Sequence, residues 1–132
     1  MSRPSGAGRS DEQRYDDGMR VRREVLGDAH VDRAVAGTTA ETADFQDLIT
    51  RYAWGDIWSR PGLPRRDRSI AVLTALIALG HHEEFAMHVR AALRNGLSRD
   101  EIVEVVLQSA IYCGVPAANT AFRIVKDVFA EE

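Results

Sequence analysis

An all-α fold is predicted by three observations on this 132-residue sequence. Apolar residues recur at three- and four-residue spacings in one segment after another. No stretch alternates apolar and polar residues as a half-buried strand would, and Gly, Pro, Asn and Ser fall between the periodic segments, where helices stop and restart. The expectation is a single-domain helical bundle of about six to seven helices, oligomeric.

Residues 1–13 (MSRPSGAGRSDEQ) carry Ser, Gly and Arg without apolar periodicity, so they are assigned to a flexible tail and the domain to residues 14–132. From Tyr15, the residues Met19, Val21, Val25 and Leu26 form one stripe on a highly charged helix that stops at Gly27. A short helix over 29–36 stops at Gly37. A third is predicted over 43–58, with Phe45, Leu48, Ile49 and Tyr52 at helical spacings, and Pro61, Gly62 and Pro64 break the chain after it. The helix over 65–79 is polar only in its first turn and apolar all round beyond it, the pattern of a helix packed centrally among others. Gly80 ends it. A helix over 83–94 closes at Asn95 and Gly96, and Ser98-Arg99-Asp100-Glu101 has the form of a capping box opening the next helix, which runs to Cys113. Gly114 and Pro116 mark a stop and a restart, and Ala118, Ala121, Phe122, Val125, Val128 and Phe129 form the last stripe.

Composition narrows the function. With 45% apolar and 28% charged residues the chain is an ordinary globular one that can bury a core. The longest uncharged apolar run, residues 70–80, is too short to cross a bilayer and no signal segment is visible at the start, so a cytoplasmic protein without membrane contact is expected. Net charge is −3 and the arginines are scattered, which argues against nucleic acid as a partner. The lone Cys113 offers no internal disulfide, no CxxC pair and no cysteine zinc site. Its default role is inert packing.

Three groups of residues can carry chemistry. In GHHEEFAMHVRAA the helical wheel sets His88 with Phe85, Val89 and Ala92 on the buried side, and Glu84 one turn earlier at the border with water. That is the geometry of an acid/base pair, and equally of a structural histidine held by its helix neighbour. His81 and His82 stand at the helix start, where the default is solvation, and His81 and His88 with one Glu make a poor zinc pattern, so no metal is assigned. Both tryptophans, Trp54 and Trp58, lie beside Tyr52 just before a turn carrying Arg60. Aromatic walls next to a guanidinium suit a planar anion, as they also suit aromatic core beneath a turn. Arg65, Arg66 and Arg68 oppose the dipole of the helix they open unless carboxylates meet them, and Asp67 is one such carboxylate.

RYDDGMRVRREVLGDAHVDRA, then YAWGDIWSRPGL, then RRDRSIAVLTALIALG and EEFAMHVRAALRNGLSRDEIVEVVLQSAIYCGVPAANTAF resemble, in order, the γ-carboxymuconolactone decarboxylase family over nearly everything after Gln13. That family is similar to the alkylhydroperoxidase D-like superfamily, whose redox members carry C-x-x-C-x-x-x-H. Laid on this chain, the motif puts its histidine on His88 and its cysteine places on His81 and Glu84, so the thiol pair is absent. The resemblance therefore implies a cofactor-independent decarboxylase in the protocatechuate branch of aromatic catabolism, converting 4-carboxymuconolactone to β-ketoadipate enol-lactone, as a homotrimer or homohexamer. The roles that follow are His88 as proton donor or dienolate stabiliser and Glu84 as its orienting partner. Arg60 and Arg68 become carboxylate anchors, with Arg20, Arg22 and Arg23 in reserve, and Trp58 and His81 line the pocket.

Two other readings compete. A thiol-dependent peroxidase of the same superfamily is weakened because Cys113 has neither a resolving partner nor thiolate stabilisation. A non-catalytic helical binding module, with a helix-turn-helix over 98–130, offers a nucleic acid only Arg123 and Lys126 in its second helix.

Overall fold

Every regular element in the computed structural model, which describes residues 8–131, is helical, and no strand occurs among the described residues. The helices group into two units that divide at the proline turn, one ending at Pro64 and the other beginning at Arg65. None of the helices is long and apolar enough to cross a membrane.

In the first unit, α1 (Asp11–Leu26) begins three residues before the expected domain start. Ser10 caps it: the Ser10 hydroxyl accepts from the Gln13 amide at 3.1 Å, and the Ser10 amide donates to the Gln13 side chain at 2.8 Å. The reciprocal box satisfies two amides that a helix start otherwise leaves open. Residues 10–13, given to the tail from composition, thus belong to the helix, while residues 1–7 lie outside the described residues. Arg9 reinforces this end by donating to the Asp17 carboxylate and, at 2.8 Å, to the Gly55 carbonyl. After the bend at Gly27 comes α2 (Asp28–Ala36), tied back to α1 by Arg23, which reaches Asp28 at 3.2 Å and Asp32 at 2.8 Å.

The predicted helix over 43–58 is present but not uniform. It begins as α3 (Ala43–Ile49) and widens into a π-helical segment, Thr50–Trp58. The change starts where the Thr50 hydroxyl donates to the Gln46 carbonyl at 2.7 Å, a side-chain bond that competes with the backbone ladder. A five-residue register sets Thr50 and Gly55 on one line, and that line lies against α1. A Cβ on Gly18 would stand 1.9 Å from the Thr50 carbonyl oxygen, and one on Gly55 would stand 2.5 Å from that of Arg14. The two glycines let the backbones meet where no side chain fits. Arg14 locks the contact, its Nε donating to Asp56 at 2.9 Å and its terminal nitrogen to the other carboxylate oxygen.

The second unit comprises α4 (Arg65–Leu79), α5 (His82–Arg94), α6 (Arg99–Cys113) and α7 (Val115–Phe129). Its core joins Leu73 and Ile77 of α4 to Phe85 and Val89 of α5, Ile102 and Val106 of α6, and Ala121 and Val125 of α7. The capping box at Ser98 is formed as predicted: the Ser98 hydroxyl accepts from the Glu101 amide at 3.0 Å, and Glu101 accepts from the Ser98 amide at 2.9 Å. Arg90 closes the fold end to end with two hydrogen bonds to Glu131, at 2.9 and 2.8 Å. The expectation for α4 needs correction. Within one chain it buries a single line, Ser69, Leu73 and Ile77, while Ala71, Ala75 and Ala78 are exposed and Leu79 is 68% exposed. Ile70 and Leu76 are partly buried against the same core, and the face carrying Ala71, Ala75, Ala78 and Leu79 is left open.

Candidate active site

The amphipathic register of α5 places its chemistry as the wheel predicts. His88 is buried, only 7% exposed, on the face that also buries Phe85, Val89 and Ala92. Glu84 is exposed in the first turn, four residues before it, beside Glu83. His81 precedes the helix at its cap position, exposed, with its carbonyl accepting from the Phe85 amide at 2.9 Å. His82, the first helical residue, is exposed as well. The imidazole of His88 is therefore the member of this group that the fold withdraws from water, the setting in which a proton donor is not levelled by solvent.

Arg68 sits half-buried in the first turn of α4. The neighbouring Ser69 is fully buried, and its hydroxyl accepts from the Asn95 side chain at 3.0 Å, which pins the start of α4 beside the end of α5. The two helices thus run in opposite directions, and at 1.5 Å per residue the level of Asn95 is roughly 16 Å along α5 from Glu84 and roughly 10 Å from His88. The fold therefore does not set Arg68 next to His81 or Glu84. His88 lies between those two levels, one turn from Glu84. The crowding of arginines at this helix start is relieved as the dipole argument requires: Arg66 is 3.7 Å from Asp67 and forms an ion pair with Glu101 of α6.

Trp58 and Arg60 belong to the first unit. The Trp58 ring stands 5.3 Å from that of Trp54, centroid to centroid and tilted by 35°, so the aromatic pair is real and half of it is core: Trp54 is buried and Trp58 half-buried. Arg60 is half-buried in the turn that follows, where its amide donates to the Ile57 carbonyl at 3.0 Å. Cys113 ends α6, half-buried and packed against the core of the second unit as a small hydrophobe.

A cavity of about 390 Å³ opens between α4 and α6, but its walls include Asp100, Glu101 and Glu104, a charge that repels an anionic ligand. Sequence reasoning missed a different feature, the burial of Arg22. Its signal was available, because the register that buries Gly18, Val21 and Val25 carries Arg22 inward with them.

The chain matches the family model described as "Carboxymuconolactone decarboxylase family" over residues 43–127. It is 46% identical over 122 residues, 92% of this chain and 91% of the relative, to the 4-carboxymuconolactone decarboxylase of Acinetobacter baylyi. It is also 41% identical over 110 residues to the nitrosuccinic acid decarboxylase of Metarhizium robertsii, covering 83% of this chain and 77% of that one. A 4-carboxymuconolactone decarboxylase of Pseudomonas putida is 56% identical over 46 residues, 35% of this chain and 96% of the relative.

Proposed function

Because the chain belongs to the carboxymuconolactone decarboxylase family, we propose that it catalyses the decarboxylation of 4-carboxymuconolactone to β-ketoadipate enol-lactone. The observation that carries this reading is the similarity to the Acinetobacter baylyi enzyme, which extends over nine-tenths of both chains rather than over one motif. The second decarboxylase among the relatives is named for nitrosuccinic acid, a compound that, like the lactone, bears a carboxylate placed to release its electrons into an acceptor built into the molecule.

In the lactone, the departing carboxylate sits γ to the ring carbonyl across a double bond. When the C–C bond breaks, CO₂ leaves and the electron pair spreads through the double bond onto the lactone carbonyl oxygen as a dienolate. A proton delivered to the carbon α to the carbonyl completes the enol-lactone. The substrate is its own electron sink, so the protein's tasks are to hold carboxylates, to stabilise the dienolate and to supply one proton. His88, shielded on α5, is assigned the proton and the dienolate contact, with Glu84 orienting it. Arg60 and Arg68 are each proposed as a carboxylate contact and Trp58 as an aromatic one, while His81, at the opposite end of α5 from Arg68, is not assigned to the same ligand.

We further propose that the enzyme is a homotrimer or homohexamer. Leu79, Ile111, Tyr112 and Val115 are 68–80% exposed in the single chain, an apolar surface that symmetric copies would cover. The test of function is direct. Freshly generated 4-carboxymuconolactone added to the purified protein should yield CO₂ and enol-lactone in equal amounts, and absence of turnover would remove the assignment. Turnover of nitrosuccinic acid alone would move it to the second named substrate.

A further inference from the structure

Arg22 is 6% exposed, and among the described residues no carboxylate meets it. Its Nη1 donates to the Gln46 side-chain oxygen at 3.2 Å and to the Thr50 hydroxyl at 3.4 Å, both long and both to neutral acceptors. Its Nε is buried with no acceptor. Burial depresses the guanidinium's affinity for its proton, the direction expected of a cation withdrawn from water without a counter-ion. A bare charge of this kind is costly, and an apolar side chain of the same length would fill the space without that cost. The arginine, however, is not sealed in. It lines a cavity of about 340 Å³ whose other walls include Tyr15 and Met19 of α1, Val35 of α2 and Gln46 of α3. Asp47 at the same cavity is already engaged by Arg51 at 2.9 Å.

We propose that this cavity, formed by α1, α2 and α3, binds a small organic monocarboxylate whose charged end is held by Arg22. The single buried cation matches one negative charge, and the fork of guanidinium nitrogens suits the two oxygens of a carboxylate. Tyr15, Met19 and Val35 give the organic body an apolar seat. Inorganic phosphate, compact and carrying more than one charge at neutral pH, has no second cation here and no use for the apolar wall. The site lies wholly within the first unit and does not depend on the decarboxylase assignment.

Isothermal titration of the full chain with benzoate tests it, alongside the neutral isostere benzamide and inorganic phosphate. Benzoate should bind at one site per chain, at least tenfold more tightly than either of the other two. The Arg22→Met variant, which relieves the buried charge and should fold at least as stably, should lose at least tenfold in benzoate affinity, whereas Arg94→Ala, at an exposed position of α5 with no assigned role, should bind it as the parent does. Amide shifts in ¹⁵N spectra on adding benzoate should concentrate on α1, α2 and α3. No benzoate binding, equal binding of phosphate or benzamide, or binding that survives Arg22→Met would each overturn the proposal. Failure of the lactone to turn over, with benzoate binding intact, would touch only the decarboxylase reading.

Discussion

His88 is the residue on which rate and folding should part company. It lies on the buried side of α5, and a positioned general acid contributes roughly 10²–10⁴-fold. His88→Gln keeps a polar side chain of similar reach but cannot act as an acid. It should lower kcat by about 10²-fold or more, with circular dichroism and oligomer size unchanged. Near-full kcat would return this histidine to a structural role and send the search for the donor to His81 or Glu84. Arg60→Ala and Arg68→Ala should act differently, on capture of the dianion. Each removes a charge-assisted hydrogen bond worth about 1.5–3 kcal/mol, so kcat/KM should fall about tenfold to more than a hundredfold, read from initial rates below KM. Wild-type kinetics in both would move the anchors elsewhere.

At the scale of elements, the sharpest expectation concerns the crossing of α1 with the π segment. The Gly18 site leaves 1.9 Å between an added Cβ and the Thr50 carbonyl oxygen, and the obstacle is backbone, which cannot rotate away. Gly18→Ala should therefore cost about 3 kcal/mol, the upper end for overpacking, although alanine is the better helix former. Urea unfolding at constant m-value would measure it, and a neutral or stabilising result would mean that the helices do not meet there. The same unit carries a pH signature. The hydrogen bond from Arg9 holds the Asp17 carboxyl below its ordinary value, so the tie contributes stability above the unfolded carboxyl pKa and loses it as pH falls through the lower, folded one. The urea midpoint of Arg9→Gln should lie below wild type near pH 6, and the gap should shrink below about pH 4. A gap independent of pH would assign the effect of Arg9 to its bond with the Gly55 carbonyl instead.

For the whole molecule, the exposed apolar side chains decide the expectation. Ile111 and Tyr112, each 80% exposed, and Val115, 72% exposed, follow one another across the junction of α6 and α7, and Leu79 is exposed at the end of α4. Light scattering at micromolar concentration should give three or six times the 14.6 kDa chain mass, and a monomer would contradict the assembly. An Ile111→Glu, Tyr112→Glu double variant should shift the mass downward while keeping the helical content, because neither side chain belongs to the core of the chain.

What the sequence determined by itself is the set of signals written within one turn of helix. The box at Ser98 and Glu101, the glycine stops and the stripe of α7 were legible because caps and apolar periodicity act between residues three or four apart. His88 was placed on the buried face for the same reason, and the box at Ser10 and Gln13 was equally legible but was masked by the polar composition around it. The tertiary structure decided everything that depends on residues distant in the chain. Periodicity at 3.6 cannot announce a five-residue register, and only the meeting of Gly18 with Thr50 and Gly55 shows what the π segment is for. The antiparallel pairing that carries Arg68 away from Glu84 is marked by the bond from Asn95 to Ser69, twenty-six positions apart, and by the packing of Leu73 and Ile77 on Phe85 and Val89. Arg22 reads as one more surface cation until α3 and the π segment close over it, because burial is a property of the packed neighbours and not of the residue.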